Sequence, residues 1–217
     1  MPVVLSDLLS SAETEVLHAA ALDLDFADGA GTAGSLARGV KDNLQAVDSP
    51  ASAALLDKVQ AALLRHPLFQ ALCYPKGFAR MLVSCTEGGG RYGEHVDNAV
   101  MAGMRADVSF TLFLTPTDDY DGGALTISDH TEDRSFRLNP GEMIVYPSNT
   151  LHRVDPVTRG RRLAIVGWVS SWVADPRGRE VLFDLWQAMA AAEAGGDLDQ
   201  ARRISKARSN LLRMWAA

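Results

Sequence analysis

The chain has 217 residues, 47% of them apolar and 22% charged, with a formal net charge of −6. These values describe a globular protein long enough to bury a sizeable core in one domain. The acidic balance argues against the concentrated basic surface that nucleic acid requires. The start, MPVVLSDLLSSAETEVLHAA, lacks the basic and unbroken apolar regions of a signal peptide, and no stretch approaches the roughly 18 apolar residues of a membrane span. Cys73 and Cys85 are isolated, so they read as free thiols without a disulfide or zinc framework. The expectation is a cytoplasmic protein.

The first third reads as helical. Ser10-Ser11-Ala12-Glu13 has capping-box spacing, and Val16, Leu17, Ala20 and Ala21 follow at helical intervals. Asp28 to Gly39 is rich in Gly, Ala and Ser and reads as a loop. Ser49-Pro50 predicts the start of a second helix, with Leu55, Leu56, Val59, Ala62 and Leu63 on its apolar face. The period then changes. Val108, Phe110, Leu112 and Leu114 alternate with Ser109, Thr111 and Phe113, which is strand spacing.

Further short strands are predicted at 124–128, 136–138, 143–146 and 162–169, separated by Gly and Pro turns. Many short strands divided in this way predict a β-barrel or jelly roll. The triple glycine Gly88-Gly89-Gly90 reads as a hairpin tip and lacks the Gly-Lys-Ser/Thr ending of a phosphate loop. Two amphipathic helices close the chain, broken at Gly195-Gly196, with Arg202, Arg203, Lys206 and Arg208 on a solvated face. The fold class expected is α+β. A helical region, 1–78, packs on a β core, 79–173, and a helical extension, 174–217, completes one integrated domain.

The chemistry concentrates in Tyr92-Gly93-Glu94-His95-Val96-Asp97. In an extended segment His95 and Asp97 point to one face and offer an imidazole and a carboxylate to a metal. Iron(II) oxygenases use two histidines and one carboxylate on one side of the metal and leave the other positions open. A second histidine must come from elsewhere. His18 and His66 lie in the helical region, which leaves His130, in a polar hairpin tip, and His152, after the strand ending at Tyr146-Pro147. Beyond His152 stand Arg159, Arg161 and Arg162. A buried arginine can hold a carboxylate through two parallel charge-assisted bonds. Arg161 and Arg162 face opposite sides of a strand, so at most one of them points inward.

The ordered segments 92–100, 105–114, 120–125, 146–152 and 156–162, together with Lys41–Gln45, resemble the bacterial PKHD-type hydroxylases. These are iron- and 2-oxoglutarate-dependent dioxygenases related to the prolyl and lysyl hydroxylases. The resemblance covers most of the chain and is looser before about residue 80. It implies a double-stranded β-helix, or jelly roll, with flanking helices. It further implies that His95, Asp97 and His152 bind Fe(2+) and that Arg162 binds 2-oxoglutarate. O2 is then the second cosubstrate, L-ascorbate the reductant, and succinate and CO2 accompany the hydroxylated product. Asp97 fills the position a halide would need in a related halogenase, which favours hydroxylation.

The sequence departs from the family in two places. The loop between Asp97 and Arg105 is short, and Cys85-Thr86 stands where relatives carry Arg-Tyr. Both flank the expected pocket and bear on substrate more than on iron. The substrate expected is a small molecule or a protein side chain, and the terminal amphipathic helices leave a homo-oligomer open. Two other readings compete: a cupin-like metal-binding or ligand-sensing protein without turnover, and an interaction module built on the C-terminal helices.

Overall fold

The N-terminal caps form as the sequence predicts. Ser10 accepts from the Glu13 backbone N–H at 3.3 Å, Glu13 accepts from the Ser10 N–H at 2.9 Å, and helix α1 (Ser11–Leu22) starts there. Ser49 caps α2 (Pro50–Arg65), and Pro67 opens a short α3 (Pro67–Cys73). The computed structural model describes residues 2–32, 39–128 and 132–217. Part of the predicted 28–39 loop therefore lies outside the described residues.

The first third is not helical throughout. It also contributes four short strands that periodicity could not reveal: β1 (Val3–Leu5), β2 (Phe26–Asp28), β3 (Lys41–Asp42) and β4 (Leu44–Ala46). Two or three residues carry too little alternation to read as a strand.

The central region supplies β5 (Pro75–Glu87), β6 (Arg91–His95), β7 (Val100–Met101), β8 (Met104–Arg105), β9 (Val108–Phe113), β10 (Tyr120–Gly122) and β11 (Leu125–Ser128). It continues through β12 (Asp133–Phe136), β13 (Met143–Pro147), β14 (Leu151–Val154) and β15 (Val157–Ser171). The predicted strand at 136–138 is displaced toward the N-terminus. Its polar residues Arg134 and Ser135 pair with Ile127 and Thr126, so ladder bonding rather than apolar content sets its limits.

Among the described residues the strands form two principal antiparallel sheets. The larger runs β1-β13-β9-β15-β5-β4-β2, with β10 beside β15; the smaller runs β12-β11-β14-β6-β3. Two facing antiparallel sheets with helices outside are the jelly roll expected. The segment 41–46 belongs to both: Lys41 pairs with Tyr92 in the smaller sheet, and Gln45 pairs with Ser84 in the larger. It crosses between them at one edge.

Strand alternation sorts side chains between two cores. Val108, Phe110, Leu112, Val83, Cys85, Leu163 and Ile165 join a large cluster with helical residues such as Leu17, Leu55, Val59, Leu63 and Phe69. Phe113, Leu125, Ile127, Ile144 and Tyr146 form a smaller cluster. Each large apolar side chain buried in this way contributes about 1.5–3 kcal/mol. Cys85 is thus a packing residue and not a pocket group, while its neighbour Thr86 faces the pocket.

Helices α4 (Pro176–Ala194) and α5 (Leu198–Trp215) form a hairpin turned at Gly196, whose φ of 79° favours glycine. Arg179 anchors α4 by donating to the carbonyls of Val173, Ala174 and Asp107. Leu182 and Ala201 are buried, whereas Val181 and Leu198 are exposed. No helix among the described residues is long and apolar enough to cross a membrane.

Candidate metal centre

His95 closes β6, and its register partner on β14 is His152. Cross-strand pairing therefore sets two imidazoles side by side, with ring centroids 4.2 Å apart. Asp97 lies two residues past the end of β6. The intervening Val96 is 47% exposed, so the in–out alternation continues beyond the strand and turns Asp97 inward. His95 Nε2 is 3.9 Å from Asp97 Oδ1, and His152 Nε2 is 3.8 Å from Asp97 Oδ2. These separations are too long for hydrogen bonds. The donor atoms of the three residues all lie within 4.8 Å of one another, which suits groups that converge on one ion. His130 lies outside the described residues.

Backbone carbonyls orient both rings. His95 Nδ1 is 2.8 Å from the Gly93 carbonyl and His152 Nδ1 is 2.9 Å from the Thr150 carbonyl. A proton on Nδ1 satisfies each carbonyl and leaves the Nε2 lone pair facing the centre. Burial, and then the adjacent His152, push the His95 imidazole down to about 4 against the opposing pull of the Gly93 carbonyl and Asp97. The ring is therefore neutral at pH 7, the form that binds a metal. Tyr92 stacks on His95 at 3.5 Å between centroids, and Tyr146 meets His152 edge-on at 5.1 Å.

Asp97 is held from the opposite sheet. Ser109 of β9 donates to Asp97 Oδ2 at 2.6 Å, and its Oγ lies 2.8 Å from Ser148 Oγ. Since Ser109 has one proton and the carboxylate only accepts, Ser148 is the donor in the second bond. A two-hydroxyl relay thus fixes the carboxylate. Sequence reasoning missed both serines. The signal available was the small polar residue at an inward position of β9.

Arg162 lies in the same cavity as the three ligand candidates. Its register partner on β5 is Thr86, and the next residue, Leu163, points to the helical core. The alternative arginines face outward. Arg161 pairs with Glu87 at 2.6 Å and Arg159 with Asp121 at 2.7 Å, both partly exposed. Arg162 is 2% exposed, with its guanidinium carbon 4.9 Å from the Phe113 ring centroid. A Cβ on Gly123 would stand 2.8 Å from Arg162 Cδ, and Gly123 has a φ of 62°, so the turn needs glycine to admit the arginine.

Arg162 Nε and Nη2 and the buried Tyr120 hydroxyl have no hydrogen-bond partner among the described residues. Burial lowers the Arg162 pKa, and Tyr120 and Tyr146 oppose that shift. A buried cation with two unpartnered nitrogens costs stability unless an anion completes it. The donor set thus fits a carboxylate at Arg162, and the two imidazoles with one carboxylate fit a divalent metal.

Residues 79–170 match the 2OG-Fe(II) oxygenase superfamily. Over its whole length the chain is 43% identical to a PKHD-type hydroxylase of Synechococcus sp. (strain JA-2-3B'a(2-13)), covering 99% of that protein. It is likewise 43% identical to a PKHD-type hydroxylase of Acaryochloris marina, with all of both chains covered. Its fold resembles the crystal structure of a Pseudomonas putida prolyl-4-hydroxylase. The TM-score is 0.56 at 19% identity, over 78% of this chain and 92% of that one. The viral collagen prolyl hydroxylase of Paramecium Bursaria Chlorella virus-1 gives a TM-score of 0.55 at 19% identity, over 78% and 96% of the two chains.

Proposed function

Since this chain belongs to the PKHD-type hydroxylases of the 2OG-Fe(II) oxygenase superfamily, and is an Fe(II)- and 2-oxoglutarate-dependent hydroxylase, we propose that His95, Asp97 and His152 hold the iron and that Arg162 and Tyr120 hold the distal carboxylate of 2-oxoglutarate. The observation that carries the assignment is one cavity with a three-donor cluster and, apart from it, a buried guanidinium with two unpartnered nitrogens.

Iron supplies oxygen activation when bound, coupled to oxidative decarboxylation of 2-oxoglutarate to succinate and CO2 and to hydroxyl transfer. The protein contributes position and exclusion of water. The Gly93 and Thr150 carbonyls keep the Nδ1 protons in place so that both Nε2 atoms stay available. Ser148 and Ser109 hold Asp97 in one orientation. Phe113 and Leu125 keep the surroundings of Arg162 apolar, which strengthens a charge-assisted pair there. We further propose ascorbate as the reductant and the cytoplasm as the compartment. The buried free thiols Cys73 and Cys85 suit a reducing environment.

Anaerobic iron(II) titration of the wild type and of H95A and H152A tests the metal assignment. Each variant should bind iron at least about a hundredfold more weakly, and undiminished affinity in both would overturn it. The charge-transfer band that 2-oxoglutarate raises on the iron complex tests the cosubstrate assignment.

A further inference from the structure

Tyr120 meets two arginines, one inside the protein and one at its surface. Its side chain is fully buried, and its hydroxyl has no hydrogen-bond partner among the described residues. Gly123 marks where the ring lies. A Cβ there would stand 3.2 Å from Tyr120 Cε2 and 2.8 Å from Arg162 Cδ, so the hydroxyl-bearing end of the ring and the stem of Arg162 meet over one glycine. The phenol therefore offers an O–H donor beside the guanidinium, where the distal carboxylate is assigned.

The strand that carries Tyr120 holds it weakly. β10 is three residues long, and its register on β15 shifts between Asp121 and Gly122. The chain enters it from a turn in which the Asp119 N–H donates to the Pro116 carbonyl at 3.0 Å. A short strand between a turn and an irregular ladder does not by itself fix a ring.

Arg137, from the segment between β12 and β13, supplies the missing restraint. Its Nη2 donates to the carbonyls of Thr117 and Tyr120, each at 2.7 Å. One NH2 group has two hydrogens, so both are spent on tying the turn to the strand. The guanidinium carbon of the same side chain stands 4.7 Å from the Tyr120 ring centroid, within cation–π range. The backbone of Arg137 is itself secured, because Phe136 and Leu138 on either side pack against the smaller core cluster. An exposed arginine thus restrains a buried tyrosine through both main chain and ring.

We propose that Arg137 is a positioning residue for 2-oxoglutarate. It acts through Tyr120, holding the phenol hydroxyl where it bonds the distal carboxylate together with Arg162. The inference rests on the cosubstrate assignment above. Arg137 does not line the cavity that holds the metal cluster, so its influence is confined to the distal end of the cosubstrate.

The test is anaerobic calorimetric titration of the iron-loaded protein with 2-oxoglutarate and with oxalate, which chelates a metal but has no distal acid group. R137M should weaken 2-oxoglutarate about fivefold, and no more than Y120F does. Oxalate affinity should stay within about twofold of wild type in R137M. In a Y120F background, R137M should add less than about a twofold loss, because the two residues act as one unit. A 2-oxoglutarate loss under about twofold in R137M, an equal loss for oxalate, or losses that multiply in the double variant would each overturn the proposal. So would an R137M protein that melts more than about 10 °C below wild type, because Arg137 would then be a structural clamp. R162M and Y120F are titrated alongside. If neither weakens 2-oxoglutarate, the cosubstrate assignment fails and takes this proposal with it; if both do and R137M does not, this proposal alone fails.

Discussion

Replacing Arg162 with methionine separates the needs of the fold from those of the chemistry. The side chain is 2% exposed, and its Nε and Nη2 lack hydrogen-bond partners among the described residues. Each charge-assisted bond to a carboxylate is worth about 1.5–3 kcal/mol, and truncating one partner of a buried charged pair commonly costs about 2–5 kcal/mol. At about 1.4 kcal/mol per tenfold, the dissociation constant for 2-oxoglutarate should rise roughly a hundred- to a thousandfold. Stability should move the other way. Exchanging a buried, incompletely paired charge for an apolar group of similar volume is neutral or stabilising by about 1–4 kcal/mol. The metal-free R162M protein should therefore melt no lower than wild type.

Ligand linkage gives a second readout. At a hundred times its dissociation constant, 2-oxoglutarate adds about 2.7 kcal/mol to the iron-loaded wild type, or several degrees of Tm at about 2–4 °C per kcal/mol. R162M should show almost none of that increment. The assays are anaerobic titration by charge-transfer absorbance and thermal unfolding with and without 2-oxoglutarate. A folded R162M that binds 2-oxoglutarate within threefold of wild type would refute the reasoning. So would a metal-free R162M that loses several kcal/mol, because Arg162 would then be a structural cation. R161M and R159M remove only exposed pairs and should leave affinity nearly unchanged.

S109A removes the hydroxyl that orients Asp97 and should weaken iron binding about tenfold, measured by anaerobic titration; an unchanged affinity would mean the carboxylate is held by packing alone. Y120F removes one unpartnered hydroxyl beside Arg162 and should weaken 2-oxoglutarate several-fold while iron affinity is kept, a split that the same titrations report. The lowered pKa of His95 predicts acid sensitivity of the metal-free protein. The folded state resists protonation that the unfolded chain accepts near 6.5, so no loss occurs above that pH and stability falls as pH drops from 6.5 toward about 4. Between pH 7 and pH 5 urea denaturation should register a loss on the order of 2 kcal/mol, reduced in H95Q; a gain in stability over that interval would contradict the sign.

The metal cluster was legible because its residues obey local rules. His95 and Asp97 are two apart on an extended segment, and alternation alone places them together. His152 could be narrowed only to one of two histidines, because its pairing with His95 is a long-range register that no local pattern encodes. Arg162 required the same kind of information: alternation says that it and Arg161 differ, and only the core position of Leu163 says which faces inward. Tyr120, Ser109 and Ser148 were not legible, since each acts through neighbours brought from other strands. The N-terminal edge strands escaped for another reason. They are too short to show a period, and their conformation comes from the sheets they border.

The crossing strand at 41–46 divides the labour of this protein along its sequence. The groups assigned to metal and cosubstrate fall between His95 and Arg162, whereas Lys41, Asn43 and Gln45 reach the same cavity from the segment that joins the two sheets. Substitution in that joining segment reshapes the cavity wall without replacing a group assigned to metal or cosubstrate. One short stretch near the start of the chain is therefore a place where the cavity can change shape while the residues at its floor keep their identity.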